Sequence, residues 1–273
     1  MLNFFSSGRR YPALPTAPCR RKAVQRAPGP LRYVTQEQAD AYAEIGGFVL
    51  PDAFSPTEVA DLLAELDPLE AQSNADLQNI DPNQPTIARP DEIVFRAHAV
   101  MVSEQARRFA QHPVMRDLVQ DLIGPEVRLY WDQLVYKRPG TREDFPWHQD
   151  NGYNYVQPQQ YLTCWIALTD ATIDNGCPWI APGQHINGTL HHDWTSIGFQ
   201  CLAEHPQDAL PLEVKAGSVA VFSSLTPHRT GPNLTQGIRK TYILQYAPDG
   251  AMIHPRGGAA QPANDPQRQF LVT

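Results

Sequence analysis

The sequence predicts a mainly β domain with flanking helices, of the sandwich or jelly-roll kind. From Val127 onward, short runs of apolar and β-branched residues alternate with Pro, Gly, Asn and Asp, which is typical of antiparallel strands joined by turns. Before Val127, apolar residues recur at helical spacing behind residues that cap helices. The 273 residues, of which 42% are hydrophobic, suit one large domain with a full core.

The first part of the chain predicts two helices with a strand between them. One helix begins after Thr35 and ends at Gly46, and the strand Phe48–Leu50 follows it. The run Ser55–Glu58 combines a capping box with a proline at the first helical position. A second helix is therefore predicted to begin there and to run to about Leu66.

The middle of the chain predicts a loop, a helix pair and then the strands. Residues 70–92 are polar and irregular, which is typical of a lid or binding loop. Two helices are predicted at Ser103–Ala110 and Val114–Ile123. The strands predicted after them are Val127–Lys137, Tyr161–Leu168, Trp179–Ala181, Leu212–Val214, Ser218–Phe222 and Arg239–Ala247.

Charge divides the chain into two parts. Residues 1–32 are rich in Pro and contain seven Lys or Arg residues and no acid, so the rest of the chain has a net charge of −14. This composition predicts a flexible basic tail, 1–32, followed by a single domain, 33–273. The acidic domain argues against a nucleic-acid partner, and no apolar run is long enough to cross a bilayer.

The cysteines give a weaker indication of where the protein resides. The four of them, Cys19, Cys164, Cys177 and Cys201, form no C-x-x-C pair, so a structural zinc site is not expected. With few cysteines and no secretory signal, the sequence predicts a cytoplasmic protein. It leaves the oligomeric state open.

The strongest candidate for chemistry is the pair His148 and Asp150, which follows the first long strand. On an extended segment, side chains two positions apart point to the same face, so the imidazole and the carboxylate converge. His228, directly after an apolar strand, is the best third ligand. Two His and one carboxylate form the facial triad of non-haem Fe(II) oxygenases, although zinc hydrolases use the same set.

Arg239 is the candidate for a second half of the site. It follows His228 by eleven residues and opens the last predicted strand, so a turn and a return strand would bring it beside the metal. A guanidinium there can bind a dicarboxylate through two parallel hydrogen bonds. This arrangement suits 2-oxoglutarate, because the metal chelates its 2-oxo acid end and a buried cation anchors its distal carboxylate.

Together these segments resemble the phytanoyl-CoA dioxygenase family of Fe(II)- and 2-oxoglutarate-dependent oxygenases. The resemblance runs from about residue 36 to 248, without residues 186–210, and implies a double-stranded β-helix, the cupin-like jelly roll. It implies Fe(II) bound by His148, Asp150 and His228. The matching segments are Tyr136–Gly140, Trp147–Asp150, Trp165–Leu168, Asn175–Cys177, Ala181–His185, Lys215–Ser218, and Pro227-His228 followed by Arg239.

The resemblance also implies roles for further residues. Arg239 matches the residue that binds the distal carboxylate, and Thr230 matches a hydroxyl residue beside it. Trp165 and Gln133 match positions that contact the cosubstrate, and Arg96 matches a further basic contact. The implied cofactors are Fe(II), 2-oxoglutarate and O2. The implied reaction is hydroxylation of a small or mid-sized organic substrate with release of succinate and CO2.

Several alternatives are left open by the sequence. The same iron site could desaturate or cyclise a natural product, since the outcome depends on substrate placement. A non-catalytic, metal-bearing jelly-roll binding protein would not need the clamp formed by Arg239 and Trp165. A zinc hydrolase would need a general base near the metal-bound water, and no second carboxylate has a persuasive spacing. The pair His191-His192 is expected in an exposed loop.

Overall fold

Two antiparallel sheets facing each other form the body of the protein. The computed structural model describes residues 29–81, 86–159, 161–255 and 258–273, so residues 1–28 of the predicted tail lie outside the described residues. Every strand pairing between the described residues is antiparallel. The predicted jelly roll with flanking helices is confirmed.

The strands form one large sheet, one small sheet and two short additions. The large sheet contains, in spatial order, β1 (Gly47–Leu50), β11 (Val219–Ser223), β6 (Leu162–Ala167), β13 (Arg239–Pro248), β3 (Val127–Lys137) and β2 (Ile93–Ala97). The small sheet contains β10 (Leu210–Pro211), β7 (Pro178–Ile180), β12 (His228–Thr230) and β4 (Phe145–His148). The additions are β15 (Gln261–Pro262), β14 (Met252–His254) and β5 (Tyr155–Gln157), and the hairpin of β8 (Asp193–Thr195) and β9 (Gly198–Gln200).

The helices cover one face of the large sheet. They are α1 (Gln36–Glu44), α2 (Pro56–Leu77), α3 (Glu104–Ala110) and α4 (Pro113–Leu122), and a single turn, α5 (Asp150–Tyr153), follows β4. Apolar side chains of these helices, such as Leu62 and Leu118, pack with Leu134 and Tyr242 of the sheet in the main core. The opposite, inner face of the large sheet packs against the small sheet around Phe222. Successive side chains of each strand therefore enter different environments.

The capping boxes at Thr35 and Ser55 are both present, as predicted. The predicted end of α2 near Leu66 is wrong, because the helix continues to Leu77 through Pro68. Contacts with the large sheet hold this second half, and they override the local breaking tendency of proline. The side chains of Tyr136 and Lys240 donate to Asp67 at 2.7–2.9 Å. Of the predicted loop 70–92, residues 70–77 belong to α2, and residues 78–81 and 86–92 form turns and irregular structure.

The observed strands outnumber the predicted ones, and two of the differences show why. The segment Ile93–Ala97, which has no predicted strand, forms the edge strand β2. The predicted strand Leu212–Val214 is wrong, because the chain changes its pairing partner within this segment. The N–H of Leu212 donates to the Pro178 carbonyl, whereas Val214 forms an isolated bridge with Ala171, which follows β6. Both differences arise from pairing with distant strands, which local sequence does not determine.

A buried carboxylate fastens the start of the described chain to α4. Asp121 is buried and accepts the backbone N–H groups of Arg32, Tyr33 and Val34 at 2.9–3.0 Å. Leu31 packs against the main core just before them. Contacts with the domain thus begin about two residues before the predicted boundary at residue 33.

We expect Asp121→Ala to lower the free energy of unfolding by about 2–4 kcal/mol, because three N–H groups lose a charged acceptor in a buried setting. Urea denaturation measures this change. Asp208→Ala, on an exposed turn, is the matched control and should stay within about 0.5 kcal/mol of the parent protein. An Asp121 variant as stable as the control would contradict the role of this carboxylate.

Candidate metal centre

The pairing of β12 with β4 brings two histidines together. His228 lies directly opposite His148 in the antiparallel register, and their ring centroids are 4.1 Å apart. Gln149 has an extended backbone, with φ −108° and ψ 142°, so Asp150 points to the same side as His148. One ligand atom from each of His148, Asp150 and His228 lies within 4.8 Å of the others, a cluster that could hold a metal ion.

Hydrogen bonds fix which ring nitrogens face the cluster. Nδ1 of His148 lies 2.8 Å from the Pro146 carbonyl, and Nδ1 of His228 lies 2.9 Å from the Thr226 carbonyl. A carbonyl oxygen only accepts, so each Nδ1 carries the proton and each Nε2 presents a lone pair. This is the second contact that metal-ligating histidines usually make.

Burial sets the charge of the three groups. It lowers the pKa of His148 to about 3, and the neighbouring His228 adds to this effect. Burial also lowers the pKa of His228 to about 4. Both imidazoles are therefore neutral near pH 7, the form that binds a metal. Burial raises the pKa of Asp150, whereas His148 and hydrogen bonds from Thr163 and Gln245 oppose that rise.

Thr163 of β6 holds the carboxylate in place. Its hydroxyl donates to Oδ2 of Asp150 at 2.5 Å. The other carboxylate oxygen, Oδ1, lies 3.7 Å from Nε2 of His228. One oxygen is thus oriented by the large sheet, and the other is directed at the cluster.

The residue between the two ligands ties them to the neighbouring loops. Gln149 is fully buried, and its amide donates to the carbonyls of Gly188 and Leu225 and accepts from the N–H of Leu190. Its backbone N–H donates to Nε2 of His192 at 2.9 Å. The expectation of an exposed His191-His192 loop is therefore wrong for His192, which is buried because it caps this backbone group.

Arg239 lies on the inner face of the large sheet, with its guanidinium carbon 5.1 Å from the centroid of the Trp165 ring. The side chain is 1% exposed. Its one hydrogen bond among the described residues is a 3.5 Å contact from Nη1 to the Val135 carbonyl, and Nε and Nη2 have no partner there. Burial lowers its pKa to about 10, so the group stays charged near pH 7. A buried cation without an anionic partner is energetically costly, so this position favours the binding of an anion.

Two of the four remaining predicted residues share the inner face with Arg239. Gln133 and Trp165 both lie opposite Ile243, in one cross-strand row. Thr230, on the small sheet, accepts a hydrogen bond from Nζ of Lys137 at 3.2 Å.

The structure does not bring Arg96 to this face. It lies opposite Leu134, in the row whose side chains enter the helix-covered core, so it points away from the metal cluster. Nε of Arg96 is buried there without a partner among the described residues.

Sequence reasoning also missed groups that support the site. Thr163 and Gln149 lie in segments predicted correctly, but their roles depend on which strands meet. Lys137 carries no local sequence signal, because a lysine at the end of a strand is usually exposed. Its burial follows from the strands that pack around it.

Fold and site together define a class: jelly-roll proteins that present two histidines and one carboxylate between their sheets. The model of the family described as "Phytanoyl-CoA dioxygenase (PhyH)" matches residues 42–241. The chain therefore belongs to the phytanoyl-CoA dioxygenase family of iron- and 2-oxoglutarate-dependent oxygenases. This confirms the predicted family and its cofactors, iron, 2-oxoglutarate and O2.

Individual relatives are distant. A methylphosphonate hydroxylase from Gimesia maris is 29% identical over 222 residues, which cover 78% of this chain and 80% of that protein. Phytanoyl-CoA dioxygenase 1 from Oryza sativa subsp. japonica is 35% identical over 116 residues, 40% of this chain and 41% of that protein. The chain thus matches less than half the length of the rice enzyme.

Solved structures agree on the fold. The non-haem carbocyclase SnoK from nogalamycin biosynthesis superposes with a TM-score of 0.72 at 21% identity, over 88% of this chain and 97% of that chain. EctD from S. alaskensis, in its apo form, gives a TM-score of 0.67 at 22% identity, over 88% and 87%. Within the described residues, no helix combines the length and apolar character needed to cross a membrane.

We expect Gln149→Leu to destabilise the protein by about 2–4 kcal/mol, because two carbonyls and one N–H lose their buried partner. Chemical denaturation tests this change. Gln267→Leu, at an exposed position, is the control for the polar-to-apolar substitution itself. If both variants unfold at the same denaturant concentration, the amide of Gln149 does not hold the loops.

Proposed function

We propose that this protein hydroxylates a small or mid-sized organic substrate with Fe(II), 2-oxoglutarate and O2, and releases succinate and CO2. One observation carries the proposal: a buried arginine, Arg239, whose Nε and Nη2 have no partner among the described residues, lies on the inner face of the large sheet. That face packs against the small sheet, which holds His148 and His228. The similarity to a methylphosphonate hydroxylase over four-fifths of both chains supports hydroxylation.

In this proposal His148, Asp150 and His228 hold the iron. Three protein ligands on one side leave the other positions for cosubstrate and O2. When bound, Fe(II) would activate O2, which is the oxidant, and 2-oxoglutarate would be oxidised to succinate and CO2 as the co-reductant. The protein keeps both imidazoles neutral by burial and keeps the Asp150 carboxylate in position through Thr163.

Arg239 would bind the distal carboxylate of 2-oxoglutarate. The cosubstrate carries a carboxylate at each end, so the end remote from the metal falls deeper between the sheets, where an unpaired carboxylate would be costly. A planar guanidinium can donate two parallel hydrogen bonds to it. The Trp165 ring beside the guanidinium shields this pair from water. Gln133, in the same cross-strand row as Trp165, would add a polar contact.

Aromatic rings pack around His148 and would form a dry wall for the substrate. Phe145 and Tyr153 pack edge-on against the His148 ring, with centroids 4.9 and 5.4 Å away. Phe199 of the β8–β9 hairpin packs on Tyr153 at 5.2 Å. A wall of this kind excludes water near the metal.

We expect His148→Ala and His228→Ala each to weaken Co(II) or Fe(II) binding by more than about 100-fold, since a missing ligand should cost at least as much as a missing ligand support. Metal binding is measured by anaerobic titration, and succinate formation should be lost. His191→Ala is the control, because that imidazole is exposed and close in sequence. Unchanged metal affinity in both ligand variants would refute the cluster.

We expect Arg239→Ala to raise the apparent constant for 2-oxoglutarate by about 100-fold, the equivalent of breaking a buried charge pair worth roughly 3 kcal/mol. Arg239→Lys should rescue the affinity only in part, because an ammonium cannot form two parallel hydrogen bonds. Metal affinity should be unchanged. The exposed Arg116→Ala is the control, and equal 2-oxoglutarate dependence in Arg239→Ala and this control would overturn the assignment.

A further inference from the structure

The row of the large sheet beside the metal cluster ends in a tryptophan. Gln245 of β13 lies opposite Thr163 of β6 on one side and opposite Trp131 of β3 on the other. Thr163 and Gln245 both hydrogen-bond to Asp150. Trp131 is therefore two strands from Thr163, about 10 Å away. Its Nε1 donates to Oε1 of Gln133 on the same face at 3.2 Å, so the indole borders the space between the sheets.

This position lies apart from the proposed contact with the distal carboxylate of 2-oxoglutarate. Arg239 is six residues before Gln245 on β13, roughly 20 Å along the strand. Trp131, in the row of Gln245, is thus at the other end of the inner face. Groups beside Trp131 are available to a substrate while the cosubstrate is bound.

A histidine that directly follows the edge strand β2 packs on this tryptophan. The ring of His98 lies edge-on to the ring of Trp131, with centroids 4.3 Å apart. The backbone of His98 is left-handed, with φ 61° and ψ 43°, a conformation that is unfavourable for a residue with a Cβ atom. Strained backbone persists where the surrounding structure holds it, and it is frequent at binding sites.

His98 connects a buried carboxylate to an arginine. Nη1 of Arg268 lies 2.9 Å from Nε2 of His98. A guanidinium only donates, so Nε2 accepts and the ring carries its proton on Nδ1. Nδ1 faces Oδ1 of Asp132 at 3.7 Å. Asp132 is fully buried, and its Oδ2 accepts from the hydroxyl of Tyr242 and the N–H of Val100. The ring is thus held from both sides.

The turn that carries Arg268 is fastened to β3. Nε of Arg268 donates to Oδ2 of Asp265 at 3.0 Å. Gln269 is buried, and its amide donates to the Tyr130 carbonyl at 3.3 Å. Contacts with His98 and Asp265 therefore fix the orientation of the guanidinium, and the bond to Tyr130 fixes its position beside the row of Trp131.

Tyr130 relates the charge of Arg268 to the metal cluster. Burial raises the pKa of Tyr130, the carboxylate of Asp150 raises it further, and the guanidinium of Arg268 lowers it. One hydroxyl group thus lies within electrostatic range of a proposed metal ligand and of Arg268. The two charges approach the same region of the interior.

The guanidinium keeps donors for a ligand. The Arg268 side chain is 23% exposed. Of the five N–H groups of a guanidinium, one is used by His98 and one by Asp265, and the other three have no hydrogen bond to any described residue. Two of them can bind a carboxylate or a phosphonate through parallel hydrogen bonds.

We propose that Arg268 is the substrate-binding cation of this site, and that His98 positions it. The inference rests on the proposed function and deepens it, because it assigns the substrate to small molecules that carry a carboxylate or a phosphonate group. With that group bound at Arg268, the rest of the molecule lies against Trp131 and next to the cluster. Placement of this kind decides which bond of the substrate reacts.

The test is calorimetry on the protein loaded with Fe(II) and saturating 2-oxoglutarate in the absence of O2. The probes are short straight-chain carboxylates and phosphonates, and the alcohols of the same chain lengths are the neutral controls. We expect the parent protein to prefer anions, and the two anion series show which oxyanion it prefers. Arg268→Ala should weaken anion binding by about 10- to 100-fold and leave the affinities for alcohols and 2-oxoglutarate unchanged.

Three further variants sharpen the test. Asp265→Asn removes the competing charge and keeps an acceptor oxygen, so it should strengthen anion binding severalfold, an effect that a purely structural role would not produce. His98→Leu removes the acceptor for Nη1 and should weaken anion binding, and His98→Gln should restore part of it. Arg108→Ala is the matched control, because Arg108 is exposed and also pairs with an acid of its own segment, Glu104.

Three results would overturn the inference. They are a parent protein that binds the anions no better than the alcohols, equal anion affinities in Arg268→Ala and Arg108→Ala, and a loss of anion affinity that is matched by the alcohols or by 2-oxoglutarate. The last result would assign Arg268 to the fold or to the cosubstrate site. Thermal midpoints accompany each titration, and Arg268→Gln decides the question if Arg268→Ala does not fold.

Failure of the proposed function gives a different pattern. The parent protein with Fe(II) would then bind no 2-oxoglutarate, whatever its affinity for the anions. In that case the anion titrations are repeated without 2-oxoglutarate in Arg239→Ala, which lacks the buried guanidinium. Loss of anion binding on adding Arg268→Ala to this variant would retain the anion site, and unchanged binding would refute it.

Discussion

The site depends on one pairing, the antiparallel contact of β12 with β4 that sets His228 opposite His148. Side chains alternate along a strand, so a slip of one residue would turn His228 to the other face of the small sheet. The register shifts between His228 and Thr230. This irregularity lets Phe145, three residues before His148, lie on the same side and pack against its ring. The metal cluster and its aromatic wall thus follow from one short strand pair.

The charged and polar groups between the sheets are better matched by bound ligands than by one another. Two neutral imidazoles and one oriented carboxylate lie close together, and the buried guanidinium of Arg239 lies on the inner face of the large sheet. Buried charges without partners reduce stability, so an anion bound beside Arg239 would stabilise the protein. Such groups persist at binding sites because the surrounding structure holds them in place. Here the long pairing of β3 with β13 does so.

Much of this architecture could be predicted from sequence because its signals are local. Short stretches of sequence are enough to predict the capping boxes at Thr35 and Ser55, the strand Val127–Lys137 and the His-x-Asp pair. What failed needed distant partners. The second half of α2 is helical because the large sheet provides partners for Asp67. The resemblance implies a cosubstrate contact for Arg96, but the register of the edge strand β2 directs its side chain to the helix-covered face.

The network around Gln149 separates the covering loop into a stem and a tip. The stem, from Gly188 to His192, is bonded to the residue between two proposed metal ligands. The tip is the β8–β9 hairpin, which carries Trp194 and Phe199 and begins only at Asp193. Replacement of the hairpin could therefore reshape the proposed substrate wall without moving the proposed ligands. The division would let the substrate range change while the stem keeps Gln149, and with it His148 and Asp150, in place.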